Sequence, residues 1–302
     1  MLSVVLAYLS LYVVWGSTYL FIKWSVETIP PYFVVGFRFF TGGLLLLTFA
    51  ALLGKFKRRP TLREIGISFF LGSLLLIGGT GLVTMAERKV DSYLAALVIA
   101  ATPIFVAVFD FLLFRKKLLF FQLAGILGGV AGVGLILYNG QSFRSSMSPE
   151  IILVILAMTS WSLATSLGHK MKAYPEPLVN SGLQMFLIGV LCLVGYLIAD
   201  PGIFSRFGSF SEKSWWGTIY LSVVGSTLGF GAFTYLISRE PAIRVVSYAL
   251  VNPLVALLLG LGTGEKVGPY FFWGMPLVLA GVAAMLYGEK LWERFAGKKT
   301  RV

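Results

Sequence analysis

The sequence predicts an all-α integral membrane fold: ten transmembrane helices in two inverted five-helix repeats, with the N- and C-termini cytoplasmic. Three observations carry the prediction. The 302 residues are 57% hydrophobic and only 13% charged, with mean hydropathy +0.86. Apolar stretches of roughly 18 residues or more recur along the chain, and each is long enough to cross a bilayer. The chain also repeats itself: Gly79-Thr80-Gly81-Leu82-Val83-Thr84 returns as Gly229-Phe230-Gly231-Ala232-Phe233-Thr234, and Pro103 returns as Pro253 at the same shift. Ala131-Gly132-Val133 returns as Ala280-Gly281-Val282, and Trp15 has a counterpart in Trp161.

The expected spans are 2–22, 32–53, 65–86, 92–113, 119–138, 150–168, 178–198, 215–237, 243–262 and 269–288. Each must be helical, because a segment in lipid has to satisfy its own backbone hydrogen bonds. Ten spans of about 20 residues take up roughly 200 positions and leave only short loops. The chain then divides into a first repeat over 1–140, a second over 149–289 and a basic cytoplasmic tail over 290–302. Five spans per half is an odd number, so the second half enters the bilayer from the opposite side.

Basic residues set the orientation. With the N-terminus in the cytoplasm, 17 Lys and Arg fall on inward segments and 7 on outward ones, with Arg38 inside the second span. The net charge of +12 therefore fits loops facing anionic headgroups rather than a nucleic-acid partner. Residues 1–22 hold no Lys or Arg, so Leu2 onward reads as the first span rather than a cleaved leader. One cysteine, Cys192, and one histidine, His169, exclude an intramolecular disulfide and argue against a metal centre or a catalytic triad. No cofactor is expected. The partners expected are the lipid bilayer and a small-molecule substrate, and the sequence leaves the oligomeric state open, a monomer included.

Glycines and hydroxyls in mid-span suit a cavity wall, since Gly costs a helix about 1 kcal/mol relative to Ala. The wall candidates are Thr80, Thr84 and Met85 in span three and Thr227, Phe230 and Tyr235 in span eight, with Tyr248 and Asn252 in span nine. The alternative for Thr84 and Thr234 is a bond back to their own helix carbonyls. Trp15, Thr18 and Tyr19 in span one face the same choice as Trp161 and Thr165 in span six: interfacial belt or cavity. Trp15 lies about 13 residues into its span, deeper than a belt residue should, which favours the cavity. Gly128 with Gly132, and Gly225 with Gly229, form small-xxx-small pairs that let helices approach.

Pro103 and Pro253 each remove a backbone hydrogen bond in mid-span and read as kinks or hinges. Lys23 and Glu27 stand four residues apart and pair, and Arg38 either joins Glu27 or snorkels outward. Asp110, the deepest acid, is the candidate for coupling to protons, with an ion pair to Arg115 or Lys116 as the alternative. Inverted repeats around a midplane site are a recurrent transporter architecture. A membrane-embedded lipid-modifying enzyme would need paired acids, a metal cluster or an activated nucleophile within the spans, and Asp110 and His169 each stand alone.

In order and spacing, Trp15-Gly16-Ser17-Thr18-Tyr19, Pro30-Pro31, Arg38-Phe39, Thr102-Pro103, Asn252-Pro253, Gly264-Glu265-Lys266 and Ala280-Gly281-Val282 resemble the ten-helix EamA branch of the drug/metabolite transporter superfamily. The resemblance covers about residues 3–288. One departure is Arg115, which stands where the second half has Glu265. The resemblance implies a basket of helices in which the first, third and fourth of each half line a central cavity and the fifth and tenth pack behind it. It implies export of amino acids, other metabolites or toxic cations. The expected activity is secondary-active export of small metabolites, amino acids first, by alternating access. Efflux of lipophilic cations is the alternative, with an enzyme a more distant one.

Overall fold

The computed structural model describes residues 2–90, 95, 98–137, 149–168, 170–171, 173–261 and 270–296. We label its long helices α1 (Leu2–Ser25), α2 (Pro31–Leu52), α3 (Leu62–Ala86), α4 (Thr102–Phe114), α5 (Phe120–Leu137), α6 (Ile151–Gly168), α7 (Pro177–Ala199), α8 (Glu212–Ile237), α9 (Tyr248–Leu261) and α10 (Phe271–Ala296). Among the described residues, seven helical stretches are long and apolar enough to cross a membrane, and three shorter apolar helices accompany them. His169, Glu265 and the end of the basic tail lie outside the described residues. The start of that tail is a continuation of α10, which runs on to Ala296 rather than ending at 288.

Helix starts follow local chemistry. Pro31 and Pro177 open α2 and α7, where a missing N–H costs nothing. Thr61 and Glu64 form a reciprocal capping box at the start of α3. A short turn, Ala242–Val245, precedes α9, so the helix itself begins at Tyr248 rather than 243.

The proline steps behave differently in the two halves. Before Pro103 the helix is interrupted by a turn at Ala100 and Ala101, and α4 restarts with the proline in its first turn. The Ile99 carbonyl, four residues before the proline, accepts instead from Thr102 Oγ1 at 2.5 Å. Pro253 lies inside α9, which continues through it.

Packing has a two-fold logic. The two most extensive helix contacts are α2 on α7 and α5 on α10, each joining equivalent members of the two halves. α1 packs on α8 and α9, just as α6 packs on α3 and α4. Both central interfaces depend on glycine. A Cβ on Gly189 would stand 2.5 Å from Phe40 Cα and 2.6 Å from Phe39 C, and one on Gly43 would stand 2.7 Å from Phe186 Cα. At α5–α10, Gly125, Gly132 and Gly281 make the close approaches. Gly128, half of the expected pair, has nothing within 4 Å of its Cβ position, so the contact face is Gly125 with Gly132. Gly225 and Gly229 meet Thr18 and Trp15 of α1.

Helices α3 and α8 each widen into a π-helical stretch, Ser73–Gly81 and Leu221–Leu228. The sequence repeat marked these places but not their geometry. Wider turns leave carbonyls off the usual ladder, and side chains from the opposite half reach them. Ser160 Oγ of α6 donates to Leu74 O at 2.8 Å, and Trp15 Nε1 of α1 donates to Gly225 O at 3.1 Å. Such stretches concentrate at functional sites.

Candidate substrate cavity

Between the halves lies a cavity of about 90 Å³. Its wall draws on α1, α3, α6, α8 and α9, on Ile99 and Thr102 at the broken step before Pro103, and on α2 through Arg38 and Phe39. The volume is space for several waters in this conformation rather than for a fully enclosed large ligand, since a water needs roughly 10–15 Å³ by this measure.

Aromatic rings form much of the wall and floor. Trp15 and Trp161 meet edge to face at 5.3 Å, and Trp15 meets Tyr248 at 4.9 Å with rings nearly perpendicular. Phe230 closes on both indoles at 6.4 and 6.3 Å. Phe233 lies beneath, 5.3 and 5.4 Å from the same two rings. These geometries suit ring quadrupoles, which favour edge contacts. Glycine makes the room. A Cβ on Gly229 would stand 2.5 Å from Trp15 Cδ1, and one on Gly79 would stand 2.7 Å from Trp161 Cε3. The repeated glycine of each half thus clears the tryptophan of the other.

Of the sequence-selected residues, Trp15, Thr18, Tyr19, Thr80, Trp161, Phe230, Tyr248 and Asn252 line this cavity. Thr84, Met85, Thr165, Thr227 and Tyr235 lie outside its lining. Three of their hydroxyls turn back on their own helices: Thr84 to Thr80 O, Thr165 to Trp161 O and Thr227 to Ser222 O, at 2.8, 2.8 and 3.1 Å. Tyr235 donates to Ser3 Oγ at 3.0 Å, with the Arg239 guanidinium 4.0 Å from its ring centroid. Asp110 faces Lys116 at 3.4 Å. Among the described residues, no group of three or more His, Cys, Asp and Glu side chains gathers to hold a metal ion.

The charges depart from expectation. Glu27 pairs with Lys213 at 2.6 Å, not with Lys23 or Arg38. Lys23 Nζ donates to the Glu87 carbonyl at 3.2 Å. Arg38 is 5% exposed, lies in the cavity wall and donates through Nε to Ser226 Oγ at 2.7 Å. No ion pair to Arg38 forms among the described residues. Asn252 is 2% exposed; its amide lies beside the Tyr19 hydroxyl, and among the described residues its Oδ1 has no hydrogen-bond partner. An isolated guanidinium with spare donors and a free amide oxygen, framed by aromatic faces, can hold a small molecule with a negative end, a donor end and an apolar body. The sequence offered Arg38 a structural pair with Glu27 or an outward route, and the structure shows Glu27 with Lys213 and Arg38 in the cavity wall instead.

The EamA-like transporter family model matches residues 2–138 and again 148–287. A protein of Escherichia coli strain K12 named "Uncharacterized inner membrane transporter YedA" is 32% identical, over 94% of this chain and 91% of that one. A Salmonella typhimurium protein named "Probable amino-acid metabolite efflux pump" is 28% identical, over 92% of this chain and 93% of its own. A solved crystal structure at 17% identity superposes with a TM-score of 0.75, covering 97% of this chain and 98% of that one, which shows a shared fold.

Proposed function

The chain belongs to the EamA-like transporter family, and from that premise we propose that it is a secondary-active exporter of small metabolites in the inner membrane, with amino acids bearing apolar side chains as its first substrates. The reading takes residues 1–140 and 149–289 as inverted five-helix halves, with both termini cytoplasmic. Alternating access comes from rocking of the halves about the cavity. The two-fold pairing of α2 with α7 and α5 with α10 supports that arrangement, as do two successive family matches along the chain.

The observation that carries the substrate class is Arg38, a buried cation in an otherwise uncharged, aromatic-rich cavity wall. A substrate carboxylate meets its free guanidinium nitrogens through charge-assisted hydrogen bonds, about twice as strong as neutral ones. The ammonium end suits Asn252 Oδ1 and the ring faces. The apolar side chain then rests among Trp15, Trp161, Phe230 and Tyr248. Efflux of lipophilic cations, the other reading within this family, has the aromatic faces in its favour and the fixed charge of Arg38 against it.

Counterflow in proteoliposomes tests the reading. Vesicles loaded with unlabelled amino acids are offered labelled phenylalanine, methionine or threonine. Transient accumulation of label is the expected result. No accumulation with folded protein, together with dye efflux from the same vesicles, transfers the assignment to cations.

A further inference from the structure

Glu87 follows α3 directly, in the turn after Ala86. It is 0% exposed, and among the described residues neither carboxyl oxygen has a hydrogen-bond partner. The large majority of buried side-chain polar atoms are paired. An ionised carboxylate left this way is costly, and the ordinary response is to take up a proton. Glu87 lies one helical turn beyond Val83, a cavity-wall residue, and is itself outside the cavity lining. Among the described residues, the groups facing it are Tyr19 and Lys23 of α1 and Arg38 of α2. Its sequence neighbour Lys89 is engaged elsewhere, with Glu150 at 2.5 Å, and Arg88 is exposed.

We propose that Glu87 is the proton-binding residue that couples this transporter to a proton gradient. The proposal rests on the transport reading and adds the coupling ion to it. In the conformation seen here the carboxyl is sealed from water and holds one proton as a neutral acid. When the halves rock and water reaches the turn, the O–H bond breaks, the proton leaves to that side, and the carboxylate is stabilised by water, Lys23 and Arg38. Proton occupancy and conformation are then linked, so a gradient biases which way the cavity faces. Burial raises the carboxyl's affinity for its proton, to about 8, while Lys23 and Arg38 pull in the opposite direction. A group balanced near that value loads and unloads under mild changes of pH. Asp110, the other acid considered for coupling, differs in having a cation, Lys116, at 3.4 Å from Oδ2, while its Oδ1 has no partner among the described residues.

Two measurements test it. Infrared difference spectra of the full-length protein, taken between mildly acidic and alkaline buffer without any substrate, read the protonated-carboxyl C=O stretch. The expected result is a band lost with a midpoint near 8 in the wild type, absent in Glu87→Gln and shifted but present in Glu87→Asp. The second measurement is labelled phenylalanine efflux from proteoliposomes with and without an imposed proton gradient. Glu87→Gln should keep exchange at equal pH while losing the acceleration by the gradient. A wild type with no titrating buried carboxyl, or a Glu87→Gln protein with an unchanged gradient response, overturns the proposal. Failure of the wild type to move any amino acid strikes the substrate reading instead, and the infrared result then decides the fate of Glu87.

Discussion

Replacing Gly189 by alanine tests whether the α2–α7 seam holds the two halves together. The added Cβ would lie 2.5 Å from Phe40 Cα and 2.6 Å from Phe39 C, where ordinary contact begins at 3.4 Å. These neighbours are backbone atoms, so no rotamer change relieves the clash. The helices must separate by roughly an ångström, and a gap of about 0.5–1 Å already forfeits a quarter to a half of each dispersion contact along the seam. Overpacking of this kind costs about 1–3 kcal/mol, against a gain in helix propensity of up to about 1 kcal/mol. A control lies on the same helix: a Cβ on Gly195 meets nothing within 4 Å. Gly195→Ala should therefore keep the propensity gain and hold or raise the melting midpoint. Gly189→Ala should lower it by a few degrees, followed by tryptophan fluorescence of detergent-purified protein. If Gly189→Ala melts at or above the wild type, the packing argument for the seam is wrong.

Arg38→Gln should raise the half-saturating concentration for labelled phenylalanine about 10- to 150-fold, the equivalent of the 1.5–3 kcal/mol typical of a hydrogen bond to a charged group. Unchanged affinity removes Arg38 from the substrate site. Trp15→Ala should abolish counterflow while the protein still folds, whereas Tyr235→Phe, which alters a contact with Ser3, should leave counterflow within about twofold; the reverse outcome would relocate the cavity. Glu87 also predicts a pH dependence of stability. Its folded carboxyl is raised from 4.5 to about 8, so the folded state binds more protons than the unfolded state between those values. Stability should fall as pH rises through that window. Glu87→Gln should flatten the decline, as read by melting midpoints across pH.

Much of this architecture is legible in the sequence for physical reasons. Spanning helices announce themselves because lipid demands long apolar runs: seven of the expected spans coincide with described helices to within three residues at both ends, while α9 and α10 match at one end only and α4 begins at Thr102 rather than 92. Cavity residues such as Trp15, Trp161 and Phe230 were legible through repetition. Direction around a helix was not. Thr84 and Thr80 share a motif, yet the Thr84 hydroxyl serves the Thr80 carbonyl while Thr80 borders the cavity. The π-helical stretches were also hidden, because a glycine-rich run signals tolerance of an unusual turn without saying which turn forms. Likewise Thr102 read as part of a motif. Its work, capping the Ile99 carbonyl released by Pro103, depends on a helix break that hydropathy does not record.

The charges show why repetition is an incomplete guide to a transport site. The shift of 146 residues that relates Trp15 to Trp161 and Pro31 to Pro177 carries Arg38 onto Gln184. The shift of 150 that relates Thr84 to Thr234 carries Glu87 onto Ile237. The helix pairing is therefore two-fold, while Arg38 in the cavity wall and Glu87 beyond it both belong to the first half. In the proposed rocking of the halves, the two-fold packing of α2 with α7 and α5 with α10 would give two conformations of similar packing energy. A transporter built only that way would have no preference between them and no means of reading a gradient. An ionisable group placed on one side supplies the difference, because its protonation free energy changes with exposure in one half alone. On the proposed reading the residues that break the repeat, Arg38 and Glu87, are where substrate recognition and energy coupling would enter the two-fold scaffold.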